Sequence, residues 1–413
     1  MKILYVGYIL FGDDSATGNT LNNIYKDSDF EILQCCTDYD LSRHSTKWPS
    51  LCVSKTRSFV YFLLRGSYRR FIEKQTRINT QIANAISGHH KSPFASFAQG
   101  LMDIAPKRLG KTSLTEIDQF KPDVIYTLAE NITVLRLSEY FSRRYSAPIV
   151  CHIMDDIEST IYTESTITRC FRNKYKSILE RVYSNNNQHL AIGEKMASEF
   201  ERRHNCSFYP AMNCIFKVYP SEQPMNSPLK IIFSGGLHGG RNSSLLTIAN
   251  VINEDEQLKS YYELHVYTDK NSIISNPELS NACNVHEYVP AEKMIDNLSS
   301  ADILLHVESF QNEEIEYFRY SMSTKLPEYL SVGRPILCFG PIAISTVSFI
   351  KEHEVGIVAE SVNNLKAALY SLLNESIRRD YAKSSISTAE ALFLDQSVRT
   401  LIKEVFNNSI NRR

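Results

Sequence analysis

The stretch Tyr320–Gly340 carries the residue types best suited to bind a charged ligand. Ser323, Thr324 and Lys325 place two hydroxyls and an ammonium group where a helix is expected to begin. Glu328 follows one helical turn later. The amides at a helix N-terminus favour phosphate, and a carboxylate accepts hydrogen bonds from the paired hydroxyls of a sugar. The pattern predicts a nucleotide-sugar site, although the same residue types also occur in ordinary helix capping.

A glycine-rich run, Gly235–Arg241, is the second candidate. It follows a predicted strand and opens a predicted helix, so that backbone amides can approach an anion and Arg241 can pair with it bidentately. Its spacing matches neither the dinucleotide fingerprint nor the P-loop. The alternative is an ordinary tight turn between a strand and a helix. Ligands of parallel sheets bind at the carboxyl ends of the strands, so both candidates are expected at the same edge.

These motifs lie in a repeated alternation of strands and helices, which predicts an α/β protein with two Rossmann-like domains. The chain of 413 residues is too long for one small core. The predicted division is an N-terminal domain at 1–212 with an insertion at about 42–111, a linker at 213–228, a second domain at 229–394 and a final helix at 395–413.

Composition excludes several classes of protein. The net charge of −1 gives no nucleic-acid signature. The nine cysteines have no CxxC spacing, which favours reduced thiols and a cytoplasmic location. No apolar run has the length of a membrane span. Asp13–Asp14 and Asp155–Asp156 are interpreted as loop acids, so no metal site is predicted.

The insertion contains a basic segment, 55–77, with seven basic residues and one acid among aromatic side chains. Such a segment can lie on an anionic membrane surface, which would place the protein peripherally on the inner face of the membrane. The alternative is a helix that buries Phe59, Phe62 and Phe71 against its own domain and solvates its charges.

Four stretches together resemble one enzyme family. Ser323–Leu337 resembles the donor-site helix of retaining GT-B glycosyltransferases, especially the GT4-type family of bacterial polysaccharide biosynthesis. Ser234–Arg241 is similar to the diphosphate loop of that family, and Ala191–Arg203 to the segment before its linker. Cys151–Asp156 resembles the His-Asp segment that lines its acceptor cleft.

The resemblance implies a GT-B fold, in which two domains face each other across a cleft and a C-terminal helix crosses back to the first. It also implies a hexosyltransferase-type activity that transfers a sugar from a nucleotide-diphosphate-sugar to a glycan or lipid-linked acceptor. Retention and metal independence follow from the same resemblance, with no cofactor besides the donor. The alternatives are a sugar-nucleotide epimerase and a non-catalytic GT-B-like binding subunit.

The resemblance also assigns roles to residues. The implied donor-binding residues are Gly18, Asn19, Gly235, Gly236, Gly240, Arg241, Ser323, Thr324, Lys325 and Glu328. Arg241 and Lys325 would neutralise the diphosphate, and Glu328 would bind the ribose. His152 would lie near the reacting sugar as a third catalytic residue, although it also fits a core histidine.

One position departs from the family pattern. The family often carries two glutamates eight positions apart, of which Glu328 would be the second, and Tyr320 occupies the first position. Glu313, Glu314 and Glu316 are the candidate substitutes.

Overall fold

The structure is a computed structural model that describes residues 1–13, 15–37, 48–53, 93–105, 109–163, 165–220 and 226–412. The described residues form two compact units. The first contains those up to Cys214 together with those from Asp395 onward, and the second contains those of 215–394. The basic segment 55–77 lies outside the described residues.

The first unit is built on a parallel sheet of seven strands, in the order β3-β2-β1-β4-β5-β6-β7. The strands are β1 Lys2–Gly7, β2 Glu31–Thr37, β3 Ser50–Val53, β4 Val124–Thr127, β5 Ile149–Ile153, β6 Gln188–Ala191 and β7 Ser207–Pro210. Its helices are α1 Ala16–Tyr25, α2 Pro93–Ile104, α3 Lys111–Phe120, α4 Ile132–Tyr145, α5 Ile157–Thr160, α6 Arg169–Asn185 and α7 Glu194–His204. The central strands are almost wholly apolar because helices cover both faces of a parallel sheet.

The second unit repeats this plan with six strands in the order β10-β9-β8-β11-β12-β13. They are β8 Leu229–Ser234, β9 Tyr262–Thr268, β10 Asn284–Glu287, β11 Ile303–Val307, β12 Ile336–Phe339 and β13 Gly356–Ala359. The helices are α8 Arg241–Glu254, α9 Glu256–Tyr261, α10 Lys270–Ser275, α11 Pro277–Ala282, α12 Ala291–Ser299, α13 Asn312–Phe318, α14 Leu326–Ser331, α15 Ser345–Glu352, α16 Val362–Leu372 and α17 Glu375–Leu392.

The last helix, α18 Asp395–Asn411, packs on the first unit, where it contacts α1 and β6. Phe406 is fully buried, with its ring 5.8 Å from that of Phe30 and 5.9 Å from that of Tyr126. Arg399 donates from Nε to the carbonyl of Ile24 at 2.8 Å. The predicted fold class, two Rossmann-like parallel-sheet domains, is confirmed.

The structure corrects the expected elements in three places. Strand β3 pairs with β2 inside the segment 42–111, where no strand–helix alternation was expected. Strand β7 adds an edge strand before the predicted linker. Within that linker, the amide of Ile215 donates to the carbonyl of Phe393 at 2.8 Å, so this residue belongs to the second unit.

Across the residues that the structure describes, no helix is both long and apolar enough to cross a membrane. The same residues contain no group of three or more His, Cys, Asp or Glu side chains placed to hold a metal ion.

Candidate functional site

The glycine loop of the second unit lies at the topological switch point of its sheet. The loop leaves β8, whose neighbours β9 and β11 continue the sheet in opposite directions, and ligands bind outside the strand ends at such a point. Gly239 and Gly240 have φ angles of 66° and 74°, in the left-handed region that favours glycine. A Cβ at Gly240 would lie 2.4 Å from the hydroxyl oxygen of Ser309, so the loop packs closely on the chain after β11.

Arg241 is the first residue of α8 and is held in a fixed orientation. Its Nε donates to Glu308 Oε2 at 3.1 Å, and its Nη2 lies 3.1 and 3.0 Å from the two Glu308 oxygens. The guanidinium carbon is 5.1 Å from the centre of the Phe318 ring, the distance of a cation–π contact. Arg241 is 17% exposed and Glu308 only 3%, so the arginine reaches the surface while its partner does not.

Glu308 follows β11 directly and is ionised in spite of its burial. Burial opposes ionisation, but the nearby Arg241 and His306 lower the pKa of the Glu308 carboxyl below its ordinary value. His306 Nε2 lies 3.0 Å from Glu308 Oε1. Sequence reasoning missed Glu308, although an acid immediately after a buried strand, at the carboxyl edge of a parallel sheet, was an available signal.

The predicted helix after Tyr320 is shorter than expected. It is the six-residue α14, preceded by a turn in which the amide of Leu326 donates to the carbonyl of Ser323. The amide of Ser323 donates to the Thr346 hydroxyl at 2.9 Å. Because a helix of this length contributes little dipole, its terminus adds less to anion binding than expected.

Lys325 and Glu328 contact each other at the surface of the second unit. The ammonium of Lys325 lies 3.3 Å from Glu328 Oε2. The two side chains are 43% and 30% exposed. An ion pair this exposed contributes little to stability. Either side chain can therefore leave the pair and contact a ligand at a small cost in free energy.

Tyr329 joins the glycine loop to α14. The amide of Ser234, the last residue of β8, donates to the Tyr329 hydroxyl oxygen at 2.8 Å. Burial raises the pKa of Tyr329, so its hydroxyl stays protonated. The structure therefore brings the two sequence candidates of the second unit together at one edge of the sheet, through a residue that the sequence did not single out.

The three glutamates proposed as substitutes for the missing family glutamate at position 320 all lie on α13. Glu314 is buried, and its Oε2 would be 3.2 Å from a Cβ at Gly239. Glu316 is exposed and pairs with Arg319, and Glu313 is exposed as well. Glu314 is therefore the one of the three that the structure places against the glycine loop.

The predicted site residues of the first unit have different surroundings. His152 lies on β5 and is 0% exposed. Its Nδ1 is 2.7 Å from the Tyr126 hydroxyl, and its Nε2 is 2.8 Å from the carbonyl oxygen of Ala211. Burial lowers the pKa of His152 to about 4, so the imidazole is neutral near pH 7. This geometry favours the core-histidine interpretation over the catalytic one.

The sequence pattern predicts a polar loop up to Asn19 and a helical stretch from Thr20 to Lys26. In the structure α1 begins at Ala16, so Gly18 and Asn19 lie in its first turn. The Gly18 amide donates to the side-chain oxygen of Ser15 at 2.9 Å, and the Asn19 amide donates to the Ser15 carbonyl at 3.0 Å. Both amides thus cap and continue a helix, and the role of Gly18 and Asn19 in donor binding stays a prediction.

Asp156 has a structural role. It caps α5 by accepting from the amide of Ser159, and it forms a two-pronged ion pair with Arg203 at 2.9 and 2.8 Å. The position fits the predicted loop acid.

Comparisons with known proteins agree with this architecture. Residues 246–392 match the family model described as Glucosyltransferase 3-like, C-terminal domain. A search of curated proteins finds no match.

Among solved structures, the chain is similar to Anabaena Alr3699/HepE in complex with UDP, with 11% identity, a TM-score of 0.62 and coverage of 99% of this chain and 100% of that one. It is also similar to the N-terminal domain of Candida albicans trehalose-6-phosphate phosphatase, with 12% identity, a TM-score of 0.63 and coverage of 99% and 97%. It is similar as well to WaaG, a glycosyltransferase involved in lipopolysaccharide biosynthesis, with 12% identity, a TM-score of 0.54 and coverage of 97% of this chain and 99% of that one. The chain therefore shares the GT-B fold of these solved structures, and within its second unit residues 246–392 match a model described as glucosyltransferase-like.

Proposed function

We propose that the chain transfers a hexose from a nucleotide-diphosphate-sugar to a glycan or lipid-linked acceptor, with retention and without a metal ion, in the synthesis of cell-surface polysaccharide. The observation that carries the donor assignment is the hydrogen bond between Ser234 and Tyr329, which joins the glycine loop to the helix of Lys325 and Glu328. A GT4-type relationship remains part of this proposal.

Two cations of the second unit would bind the diphosphate. Glu308 engages the Nε and Nη2 atoms of Arg241, and Phe318 supports the plane of the guanidinium, which leaves the Nη1 edge to meet a phosphate oxygen. Lys325 adds a second positive charge. Both would stabilise the negative charge that develops on the departing diphosphate. Loss of one such preorganised group typically costs about 2.7–4 kcal/mol of the barrier.

Glu328 would receive the ribose hydroxyls of the donor. In the free chain its carboxylate accepts from Lys325, and on binding the lysine would move to the diphosphate while the carboxylate moves to the sugar. The two residues thus exchange one exposed ion pair for two contacts with the ligand. Glu314, beside the glycine loop, is the proposed substitute for the glutamate that Tyr320 replaces.

The acceptor and the cellular role rest on comparison. WaaG acts in lipopolysaccharide biosynthesis, which supports a lipid-linked or glycan acceptor here. The basic segment 55–77 supports a peripheral location at an anionic membrane. Binding to vesicles of phosphatidylglycerol is expected to fall with salt and with the combined change Arg65→Gln, Arg69→Gln and Arg70→Gln. No binding at low salt would refute the membrane proposal.

A thermal-shift screen with UDP-, GDP- and ADP-sugars tests the donor. UDP-sugars are the first choice because HepE was solved with UDP. A ligand at a hundred times its dissociation constant raises stability by about 2.7 kcal/mol. Unchanged melting temperatures with every nucleotide-sugar, confirmed by calorimetry, would contradict the donor assignment.

A further inference from the structure

The carboxyl group of Glu130 lies at the switch point of the first sheet. Glu130 follows the end of β4, and β1, the neighbour of β4, continues the sheet toward β2 on its other side. Parallel sheets bind their ligands outside the carboxyl ends of the strands that meet at such a point. Glu130 is partly buried, yet within the described ranges no ion pair joins it to a lysine, arginine or histidine. Because acids withdrawn from water are usually paired, this carboxyl group is a candidate for ligand binding.

Two backbone amides fix the orientation of this carboxylate. The amide of Tyr8 donates to Oε2 of Glu130 at 2.7 Å, and the amide of Ile9 donates to Oε1 at 3.2 Å. The Tyr5 hydroxyl in turn donates to the Ile9 carbonyl at 2.7 Å, so the loop after β1 is itself held in place. A carboxylate oxygen has more than one lone pair, and each oxygen of Glu130 can therefore accept a further hydrogen bond from a ligand.

The loop that presents Glu130 has a strained backbone. Ala129 has a φ angle of 57°, in the left-handed region that residues with a Cβ atom rarely adopt. Its carbonyl accepts from the Tyr175 hydroxyl at 2.8 Å, and its amide donates to the Thr127 hydroxyl oxygen at 3.2 Å. These contacts maintain a conformation that a loop without a binding role does not require. Strained positions of this kind cluster at ligand sites.

The surroundings of Glu130 disfavour negative charge. Burial raises the pKa of the Glu130 carboxyl to about 7, although the amides of Tyr8 and Ile9 act in the opposite direction. The nearby charge of Asp13 raises this pKa further. An anionic ligand would add a third negative group to this place. A ligand that brings neutral hydroxyl donors fits these surroundings better.

Tyr8 provides an apolar surface beside the carboxylate. It is the first residue after β1, and it is 49% exposed although its amide is bonded to Glu130. A pyranose ring has faces covered by C–H groups and an edge that carries hydroxyls. An aromatic ring can pack on such a face while a neighbouring carboxylate accepts from the hydroxyls at the edge. Tyr8 and Glu130 supply this combination.

We infer that Tyr8 and Glu130 bind an uncharged sugar residue of the acceptor at the switch point of the first unit. The ring of Tyr8 packs on a C–H face of the sugar, and the Glu130 carboxylate accepts from its hydroxyls. This assignment rests on the proposed function, since it names the class of the acceptor and the residues that hold it. It excludes an acceptor whose bound sugar is phosphorylated or is a uronic acid.

Saturation-transfer NMR on the full chain tests this assignment with two sets of probes. The neutral probes are the methyl glycosides of glucose, galactose, mannose and N-acetylglucosamine, and the anionic probes are glucuronic acid and glucose 6-phosphate. At least one neutral probe is expected to bind saturably and at least tenfold more tightly than either anionic probe. Absence of binding by all four neutral probes would overturn the site, and equal affinity for neutral and anionic probes would overturn the acceptor class.

Variants of Tyr8 separate binding from folding, because its side chain is exposed. Tyr8→Ala is expected to weaken the best neutral probe at least fivefold, whereas Tyr8→Phe keeps the ring and should retain most of the affinity. Tyr140→Ala is the matched control, since Tyr140 is 42% exposed on α4 of the same unit, and it should leave binding unchanged. Equal affinities of Tyr8→Ala and Tyr140→Ala for the probe would overturn the role of the Tyr8 ring.

Glu130→Gln tests the carboxylate and is expected to weaken the neutral probe at least tenfold. The introduced amide nitrogen cannot accept from the loop amides, so the melting temperature of this variant is measured beside its affinity. Wild-type affinity for the probe in a folded Glu130→Gln variant would overturn the role of Glu130.

Donor binding, measured on the same samples, keeps the two proposals distinguishable. The Tyr8 variants are expected to bind the nucleotide-sugar as the wild type does, and Glu328→Gln is expected to bind the neutral probe normally and the donor weakly. Failure of every nucleotide-sugar to bind would sink the proposed function. Failure of the neutral probes alone, with the donor still bound, would sink only the acceptor assignment.

Discussion

The two units share a strand order but use their polar residues differently. In both sheets the first strand lies between the second and the fourth, which creates a switch point at the carboxyl edge. In the second unit, Lys325 and Glu328 remain accessible at that edge. In the first unit, the imidazole of His152 and the amide of Gly18 already form hydrogen bonds within the protein. A motif residue is thus a binding candidate only where folding leaves its polar atoms accessible.

The largest effect is expected at the buried ion pair of the second unit. Arg241→Ala removes the guanidinium that pairs with the buried Glu308 carboxylate and leaves it with His306, so the free energy of unfolding should fall by about 3–5 kcal/mol in urea denaturation. The double change Arg241→Met and Glu308→Leu is the control, and it should recover most of that loss. A single-variant loss below about 1 kcal/mol would show that Glu308 does not depend on Arg241. Because of this coupling, Arg241→Ala alone is a poor test of donor binding.

Substitution of the buried His152 in the first unit should lower stability less than Arg241→Ala does and should leave donor binding unchanged. His152→Phe leaves the Tyr126 hydroxyl and the Ala211 carbonyl without their partner, so it should cost about 1–3 kcal/mol of stability. Donor affinity should equal that of the wild type. Loss of sugar transfer with full stability would restore the catalytic interpretation of His152.

Removal of one oxygen atom, the Tyr329 hydroxyl, breaks the hydrogen bond that joins the glycine loop to α14. Tyr329→Phe removes the acceptor of the Ser234 amide and should cost about 1 kcal/mol of stability together with severalfold weaker donor binding. Tyr262→Phe is the matched control, because it removes another buried hydroxyl of the second unit, one that donates to the Leu369 carbonyl. The control should lose similar stability and keep donor affinity. Equal donor affinity in both variants would mean that the link does not position the site.

Several ionisable groups make the stability of the first unit depend on pH, and two of them are histidines whose contributions have opposite signs. Burial lowers the pKa of His152 to about 4, so the unfolded chain takes up its proton first and stability falls as the pH drops from about 6.5 to 4. Burial also opposes the charge of His204, but Glu158 and Glu180 outweigh it and raise the pKa of that imidazole. Its contribution is complete below about pH 6.5 and is lost as the pH rises through the raised pKa.

Urea unfolding at pH 5 to 8.5 measures these slopes. His204→Gln should flatten the decline on the alkaline side and leave the acid side unchanged. An unaltered alkaline slope in that variant would contradict the assigned ion pairs with Glu158 and Glu180.

Sequence pattern predicted the regular elements well where their periodicity is strong. The sequence pattern predicts a helix at Ala291–Ser299 and strands at Ile336–Phe339 and Gly356–Ala359, and α12, β12 and β13 have these limits. Strand β3 was missed because it lies inside the predicted insertion, and β7 was missed because it ends on a proline, a residue that argues against a strand. The start of α1 was misplaced because Gly18 suggested a loop, whereas the side chain of Ser15 caps the helix there.

The contacts that assemble the site could not be derived from local pattern. Glu308 lies 67 positions from Arg241, and Tyr329 lies 95 positions from Ser234. Such pairs are set by strand order and by packing at the switch point. The sequence does supply the residue types, and only the fold shows which of them meet.

The central claim is that the exposed pair Lys325 and Glu328 of the second unit binds the nucleotide-sugar donor. Calorimetric titration of the best nucleotide-sugar into wild type, Lys325→Ala, Glu328→Gln and the exposed control Lys351→Ala tests it directly. The account predicts at least tenfold weaker binding in the first two variants, about 1.4 kcal/mol, with unfolding free energies within about 1 kcal/mol of wild type because the pair is exposed. Lys351→Ala should bind normally. Wild-type affinity in both Lys325→Ala and Glu328→Gln would contradict the account.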